Sequence, residues 1–254
     1  MNYVKQTINK RWYTVKFENE FWAFIPGRSG SKGLKNKNIK KLNGYPLLSY
    51  SVKLALKTKG IKKVIFSSDS KKYISIARKY GCKHFHLRSK KISTGNASEF
   101  GVFRDYIDKQ IRLKKKVAKY FVHLRPTTPV RYRKTLEQAI KYFSIRQKKF
   151  TSLRSANLMS NPAYRANRIV NGKLCGIIKK DFNIDRFCRP RHFFQDTYKC
   201  GPIFDIYKTE NILRGFLWDN KVLPFIIKDF YNDIDTQEDF DYVEYFVKKN
   251  KFKI

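Results

Sequence analysis

Apolar residues recur along this chain in two alternating rhythms. Phe21-Trp22-Ala23-Phe24-Ile25 is apolar at every position and is closed by Pro26 and Gly27, which is how a strand buried on both faces of a parallel sheet reads. After a polar, glycine-rich loop, Pro46 opens a stretch with Leu47, Leu48, Val52, Leu54, Ala55 and Leu56 at helical spacing. Residues 64–69 repeat the strand pattern. Ser70 is placed to cap a helix that runs through Tyr73, Ile74, Ile76 and Ala77 and stops at Gly81. Residues 84–87 and 120–124 read as further strands, each followed by a helix, at 100–113 and 134–143. Strands and helices alternating at this spacing predict right-handed βαβ units, and hence an α/β fold built on a doubly wound, mostly parallel sheet.

The rhythm fails near residue 150. From there to about 200 the sequence offers an Asn171-Gly172 hairpin turn between Arg168-Ile169-Val170 and Lys173-Leu174-Cys175, then a run of arginines and aromatics. This predicts a small lobe inserted at about 150–200. Strand patterns return at 203–207 and 222–227, and a terminal helix starts at Thr236 with acidic residues in its first turn. The expected organisation is one domain over 21–254 carrying that lobe, with residues 1–20 an extension that the pattern leaves unassigned.

Composition narrows the classes. At 254 residues, 42% hydrophobic and 16% aromatic, the chain can fill a core, which excludes global disorder. No stretch nears the roughly 20 apolar residues that span a bilayer. The basic N-terminus lacks the apolar centre of a secretory signal, so a cytoplasmic protein with no membrane partner is expected. Cys82, Cys175, Cys188 and Cys200 form no C-x-x-C pair, and reduced thiols without chemistry are expected. The net charge of +36, from 56 Lys+Arg against 20 Asp+Glu, suits polyanionic partners such as nucleic acid or phosphorylated substrates. The basic residues are dispersed, however, and no nucleic-acid-binding motif accompanies them, so no specific nucleic-acid partner is expected and the charge also fits a compositional background. His84, His86, His123 and His192 form no catalytic set and read as structural or surface residues.

Two segments can carry chemistry. Ligands of an open α/β sheet bind beyond the carboxyl ends of its strands, and the first such edge reads GRSGSKGLKNKN from Gly27 to Asn38. Gly27, Gly30 and Gly33 allow close approach of backbone N–H groups to phosphate oxygens, while Arg28, Lys32 and Lys37 add positive charge. The loop is not a Walker A motif, and a solvated basic turn is the competing reading. The second edge is Asp233-Ile234-Asp235-Thr236. In an extended segment the two carboxylates point to one side and can share a hard cation such as Mg2+. Alternatively, Asp235 or Thr236 simply caps the terminal helix.

These same residues carry a resemblance. IPGRSGSKGLKNKNI followed by GYPLL is similar to the opening of the acylneuraminate cytidylyltransferases, the CMP-sialic acid synthetases, usually read as IPARxGSKGLxxKNI and GxPLL. IFSSD, HLRPTTPVR and DIDTQEDFDYVE follow in register with that family's strand ending in S-T/S-D, its LQPTSPLR and its DIDTxEDLxxAE, so the resemblance runs from about residue 22 to 247. It implies a nucleotide-diphospho-sugar-transferase-like fold, reaction of CTP with an acidic nine-carbon sugar, Mg2+ as cofactor, and a homodimer formed through the inserted lobe.

Position by position, the resemblance implies that Arg28 and Lys37 contact the triphosphate as catalytic cations, and that Gly27, Ser31, Lys32, Gly33 and Asn38 complete the nucleotide loop. Asp233 and Asp235 stand at the metal-binding aspartates, one of which can accept the sugar hydroxyl proton; Asp235 is the catalytic candidate. Arg88 and Ser98 fall near the nucleotide base, although Gly95 replaces an acidic residue of that segment. Arg189, Tyr198 and Gly201 lie where the family surrounds the sugar acid, although the Asn of Y-x-x-N-G-A-x-Y is missing. Arg125 stands where many sialate-activating members have Gln. It either signals a different nonulosonic acid, of legionaminic, pseudaminic or ketodeoxynonulosonic type, or pairs with a nearby carboxylate and leaves specificity untouched. The alternatives to this function are a similar-fold nucleotidyltransferase with another NTP or acceptor, and a basic nucleic-acid-binding protein.

Overall fold

Two strands, Tyr3–Ile8 (β1) and Arg11–Pro26 (β2), open the structure, a computed structural model that describes residues 3–8, 11–31, 33–178 and 183–254. The apolar run at the end of β2 is explained by its surroundings. Ala23 and Ile25 join a core on one face of the sheet, Trp22 and Phe24 a core on the other, and all four are buried. A loop and a two-stranded ribbon, Lys41–Leu42 (β3) and Tyr45–Pro46 (β4), lead into the helix Leu47–Lys57 (α1). Ile61–Ser68 (β5), Lys71–Lys79 (α2), His84–Leu87 (β6), Glu99–Arg112 (α3), Val117–His123 (β7) and Arg133–Arg146 (α4) then alternate as the periodicity predicts.

The second half holds Ser152–Leu158 (β8), the hairpin Asn167–Val170 (β9) and Lys173–Gly176 (β10), Tyr198–Lys208 (β11), Thr209–Leu213 (α5), Val222–Ile226 (β12) and Gln237–Lys249 (α6). The main sheet runs β12-β8-β11-β7-β2-β5-β6, with β1 antiparallel on β2. β2 pairs in parallel with both β5 and β7, β5 with β6, and β8 with β12; β11 alone runs against its neighbours on both sides. α1, α2 and α4 pack one face through Leu48, Val52, Ala77 and Leu136, while α3 and α5 pack the other through Phe103, Ile107 and Ile212. This is the expected doubly wound α/β sheet. A third cluster, Leu42, Leu47, Val130, Ile234, Phe240, Val243 and Val247, seats α6. Among the described residues no helix is long and apolar enough to cross a membrane.

Two departures from the sequence pattern have physical causes. Residues 3–8 and 11–16 pair as antiparallel strands with a mostly polar outer face; among the described residues only Ile8, Val15 and Phe17 are buried there, with Val4 and Tyr13 packed against them, too few to declare a strand. β8 is hidden because buried serines, Ser152 and Ser155, replace apolar residues in SLRSANL. With β8 in the main sheet, the segment outside it spans 159–197, starting later than the pattern suggests. Its hairpin turns at Asn171 and Gly172, with φ of 50° and 74°, as the Asn-Gly pair predicts.

Candidate active site

The cationic loop leaves β2 at Pro26 and is clipped at once to β5. The Gly27 N–H donates to the Ser67 carbonyl at 2.8 Å, and a Cβ at Gly27 would lie 2.8 Å from the Phe66 ring, so the backbone passes where no side chain fits. Ser29 donates through its backbone N–H and its hydroxyl to the two oxygens of Asp69, at 2.8 and 2.9 Å. Asn38 is buried and its Nδ2 donates to the Arg28 carbonyl at 2.8 Å, closing the loop.

The acidic segment comes from the far end of the chain and meets this loop. Ile234 is fully buried in the third core, which turns its neighbours Asp233 and Asp235 away from that core. Its N–H donates to the Thr127 carbonyl at 2.9 Å, and Asp233 Oδ1 accepts from Thr128 Oγ1 at 3.2 Å. Lys37 Nζ donates to Asp235 Oδ1 at 2.7 Å and to the Ile234 carbonyl at 2.8 Å. Gly33 touches the same place: a Cβ there would sit 2.4 Å from the Asp235 carbonyl oxygen. Helix capping falls to Thr236, which forms a capping box with Asp239 and leaves the Asp235 carboxylate to Lys37.

Between loop and acidic segment lies a cleft of about 350 Å³. Arg28, Ser31, Gly33, Lys37, Asn38, Arg88, Arg125 and Asp235 line it, together with Glu99, His123 and Thr127. Arg88 is almost buried, and its Nε donates to Ser67 Oγ at 2.8 Å; burial pushes its guanidinium down to about 10, so it stays a cation at neutral pH. Arg125 donates from Nε and Nη2 to the two oxygens of Glu99, at 2.6 and 2.7 Å, and from Nη1 to Asp205 at 2.9 Å. Arg125 is thus paired with carboxylates from two other elements. Enclosure by the cleft raises the Glu99 carboxyl, yet His123 and then Arg125, with its two charge-assisted bonds, hold it down at about 2. Asp205 is fully buried and burial raises it; its Oδ1 has no hydrogen-bond partner among the described residues.

Other expected residues sit elsewhere. Ser98 caps α3 by accepting from the Gly101 N–H at 3.1 Å, and its neighbours Ala97 and Glu99 face the cleft instead. Gly27 and Asp233 flank the cleft without lining it. Arg189 stands over the Phe193 ring, Tyr198 is exposed at the start of β11, and Gly201 lies against Tyr231; none of the three lines the cleft. Lys32 lies outside the described residues. Sequence reasoning missed Asp69, Glu99, Thr127 and Asp205. Asp205 did leave a signal, a carboxylate inside the apolar strand IFDIY, where an unpaired charge is not tolerated.

No cluster of three or more His, Cys, Asp or Glu that could hold a metal occurs among the described residues. The fit to Mg2+ rests on a different donor set. Asp233 and Asp235 alternate about a buried anchor, and each has an oxygen that takes no protein hydrogen bond among the described residues. Two carboxylates completed by substrate phosphates and water suit this ion, which is seldom caged by protein alone.

An open α/β sheet that brings a glycine-rich cationic loop against paired carboxylates defines a nucleotide-binding protein of the doubly wound class. Residues 22–170 match the cytidylyltransferase family, and the chain belongs to it. It is 30% identical over 241 residues to the N-acylneuraminate cytidylyltransferase of Escherichia coli O18:K1:H7, covering 91% of this chain and 53% of that one, so it spans about half the length of this relative. It is 27% identical over 230 residues to a pseudaminic acid cytidylyltransferase of Campylobacter jejuni, covering 90% of this chain and 96% of the relative. The fold is similar to CMP:2-keto-3-deoxy-manno-octonic acid synthetase complexed with CTP, with a TM-score of 0.66, 14% identity, and coverage of 91% of this chain and 99% of that one.

Proposed function

We propose that the protein activates a nonulosonic, sialic-type acid with CTP, giving the CMP-sugar and pyrophosphate. The observation that carries this reading is the meeting of Lys37 and Asp235 at 2.7 Å in one cleft. The sugar's anomeric hydroxyl attacks the α-phosphorus, a new P–O bond forms, and the bond to the β-phosphate bridge breaks, so negative charge builds on the phosphoryl oxygens and on departing pyrophosphate. Arg28, Lys37 and Arg88 are fixed cations for that charge. Lys37 can hold its place and still reach a phosphate, because Nζ has three hydrogens and its protein partners take two. Asp235 is the candidate to accept the hydroxyl proton. Asp233 and Asp235 would hold Mg2+, which would neutralise charge on the phosphates.

The acceptor is assigned to the legionaminic, pseudaminic or ketodeoxynonulosonic type. Arg125 commits three of its five N–H groups to Glu99 and Asp205, so this wall offers the sugar a held carboxylate where many relatives have an amide. We assign a homodimer contact to the segment around β9 and β10, where Ile169, Leu174, Ile177, Ile178 and Phe193 are exposed. The test is pyrophosphate release. It should require CTP, Mg2+ and a sugar acid together, and should fall by about 100-fold or more in Lys37→Ala, the scale of one lost transition-state contact. Equal release with UTP or ATP, or a preference for N-acetylneuraminic acid over the other acids, would overturn the nucleotide or the acceptor assignment respectively.

A further inference from the structure

Arg88 enters the cleft from a hydrogen-bonded chain that runs through buried Ser67 and His86 to the part-exposed Asp105. Its Nε donates to Ser67 Oγ at 2.8 Å and its Nη2 to the Ser67 carbonyl at 3.0 Å. Nη1 makes no hydrogen bond among the described residues and is left for a ligand. A hydroxyl that accepts from a guanidinium still has its own hydrogen to give, and His86 Nδ1 lies 2.9 Å from Ser67 Oγ. The other ring nitrogen, Nε2, lies 2.8 Å from Asp105 Oδ2.

Donor and acceptor counting closes this chain in one direction. A guanidinium only donates and an ionised carboxylate only accepts. The hydrogen of Ser67 must therefore go to His86 Nδ1, and the ring hydrogen must sit on Nε2, facing Asp105. The opposite tautomer would leave the Ser67 hydrogen unpaired and turn a lone pair of His86 toward the carboxylate. Ser67 is fully buried and His86 is 2% exposed, so either fault is costly. Phe24 and Tyr106 hold the ring, with centroids 6.3 and 5.4 Å away.

We propose that His86, as the neutral Nε2–H tautomer, is a positioning residue: it orients the Ser67 hydroxyl so that Arg88 is held in place to meet the nucleotide. His86 and Asp105 lie outside the cleft lining, and their action passes wholly through Ser67. This inference rests on the nucleotide-binding role given to Arg88 above. Burial pushes His86 down to about 4 against the opposing pull of Asp105, with Arg88 and Lys109 adding to the downward shift, so the ring is neutral at pH 7.

Two measurements test it. In the wild-type protein at pH 7, 15N NMR should show His86 with a bare Nδ1 and a protonated Nε2; an Nδ1–H ring or an imidazolium overturns the proposal whatever reaction the protein catalyses. The second is steady-state kinetics of folded His86→Asn and His86→Gln. The Asn amide can return an acceptor near the Nδ1 position, whereas the Gln amide reaches toward the Nε2 position. H86Q should raise KM for CTP about tenfold, the scale of one hydrogen bond to a charged group, while KM for the sugar acid stays put and H86N stays within about threefold of wild type by the same scale. Equal behaviour of both variants, or a parallel rise in both KM values, overturns it. A wild-type protein that releases no pyrophosphate from CTP with any sugar acid defeats the function and leaves the tautomer result standing.

Discussion

Arg125 holds more charge together than any other side chain in the cleft. It ties the mouth of the site, through Glu99, to the sheet interior, through the fully buried Asp205. Removing one partner of a buried pair leaves an uncompensated charge, which typically costs about 3–5 kcal/mol. Arg125→Ala is therefore expected to lose stability on that scale in urea unfolding, and adding Asp205→Asn should recover a large part of it. Equal denaturation midpoints for Arg125→Ala and wild type would show that Asp205 does not depend on the pair. At this scale the sequence was readable in part. Arg125 stood out as a departure from its relatives, but its partners come from α3 and β11, and no local pattern announces a contact that the fold alone creates.

Elements meet in the site at Gly33. Its hydrogen faces the Asp235 carbonyl, so Gly33→Ala must push the cationic loop and the acidic segment apart and lengthen the Lys37–Asp235 contact. The expected outcome is a protein that melts near wild type but has lost tenfold or more in kcat/KM, roughly the cost of a misplacement by a fraction of an ångström to 1 Å. A variant of unchanged kcat/KM would mean that the two segments need not touch. The four strand–helix units from β2 to α4 follow the periodicity closely, most plainly where a strand is buried on both faces and so continuously apolar, as at Trp22–Ile25 of β2. The paired strands β1 and β2 and strand β8 were not legible for the opposite reason: the pair is mostly solvated at its outer end, and β8 buries serine hydroxyls, Ser155 Oγ donating to the Gly201 carbonyl and Ser152 Oγ having no hydrogen-bond partner among the described residues. The two edges that meet at the cleft were legible, one as a glycine-rich loop after a strand and the other as paired aspartates before the terminal helix.

At the scale of the whole molecule, the buried His86 links folding to pH. Its folded value near 4 lies below the ordinary 6.5, so as pH falls from 6.5 the unfolded chain takes up a proton that the native chain refuses. Its full contribution is therefore present above pH 6.5 and is lost progressively down to about pH 4, with a ceiling of roughly 3 kcal/mol. Urea unfolding at pH 7, 6, 5 and 4 should show this decline, and a folded His86→Asn variant should show a shallower one. Parallel curves for the two proteins would remove His86 as the cause.

Ile234 has a consequence for how the site comes into being. Its seat is built partly from Phe240, Val243 and Val247 of α6, and Lys37 lies 198 residues upstream of the carboxylate it grips. Chains begin to fold from the N-terminus while still on the ribosome, so the nascent protein carries its cationic loop with no acid opposite it until residues 233–249 emerge. A chain cut short before α6 lacks the seat that holds Asp235 against Lys37, and the activity proposed above should then be lost in full rather than in part.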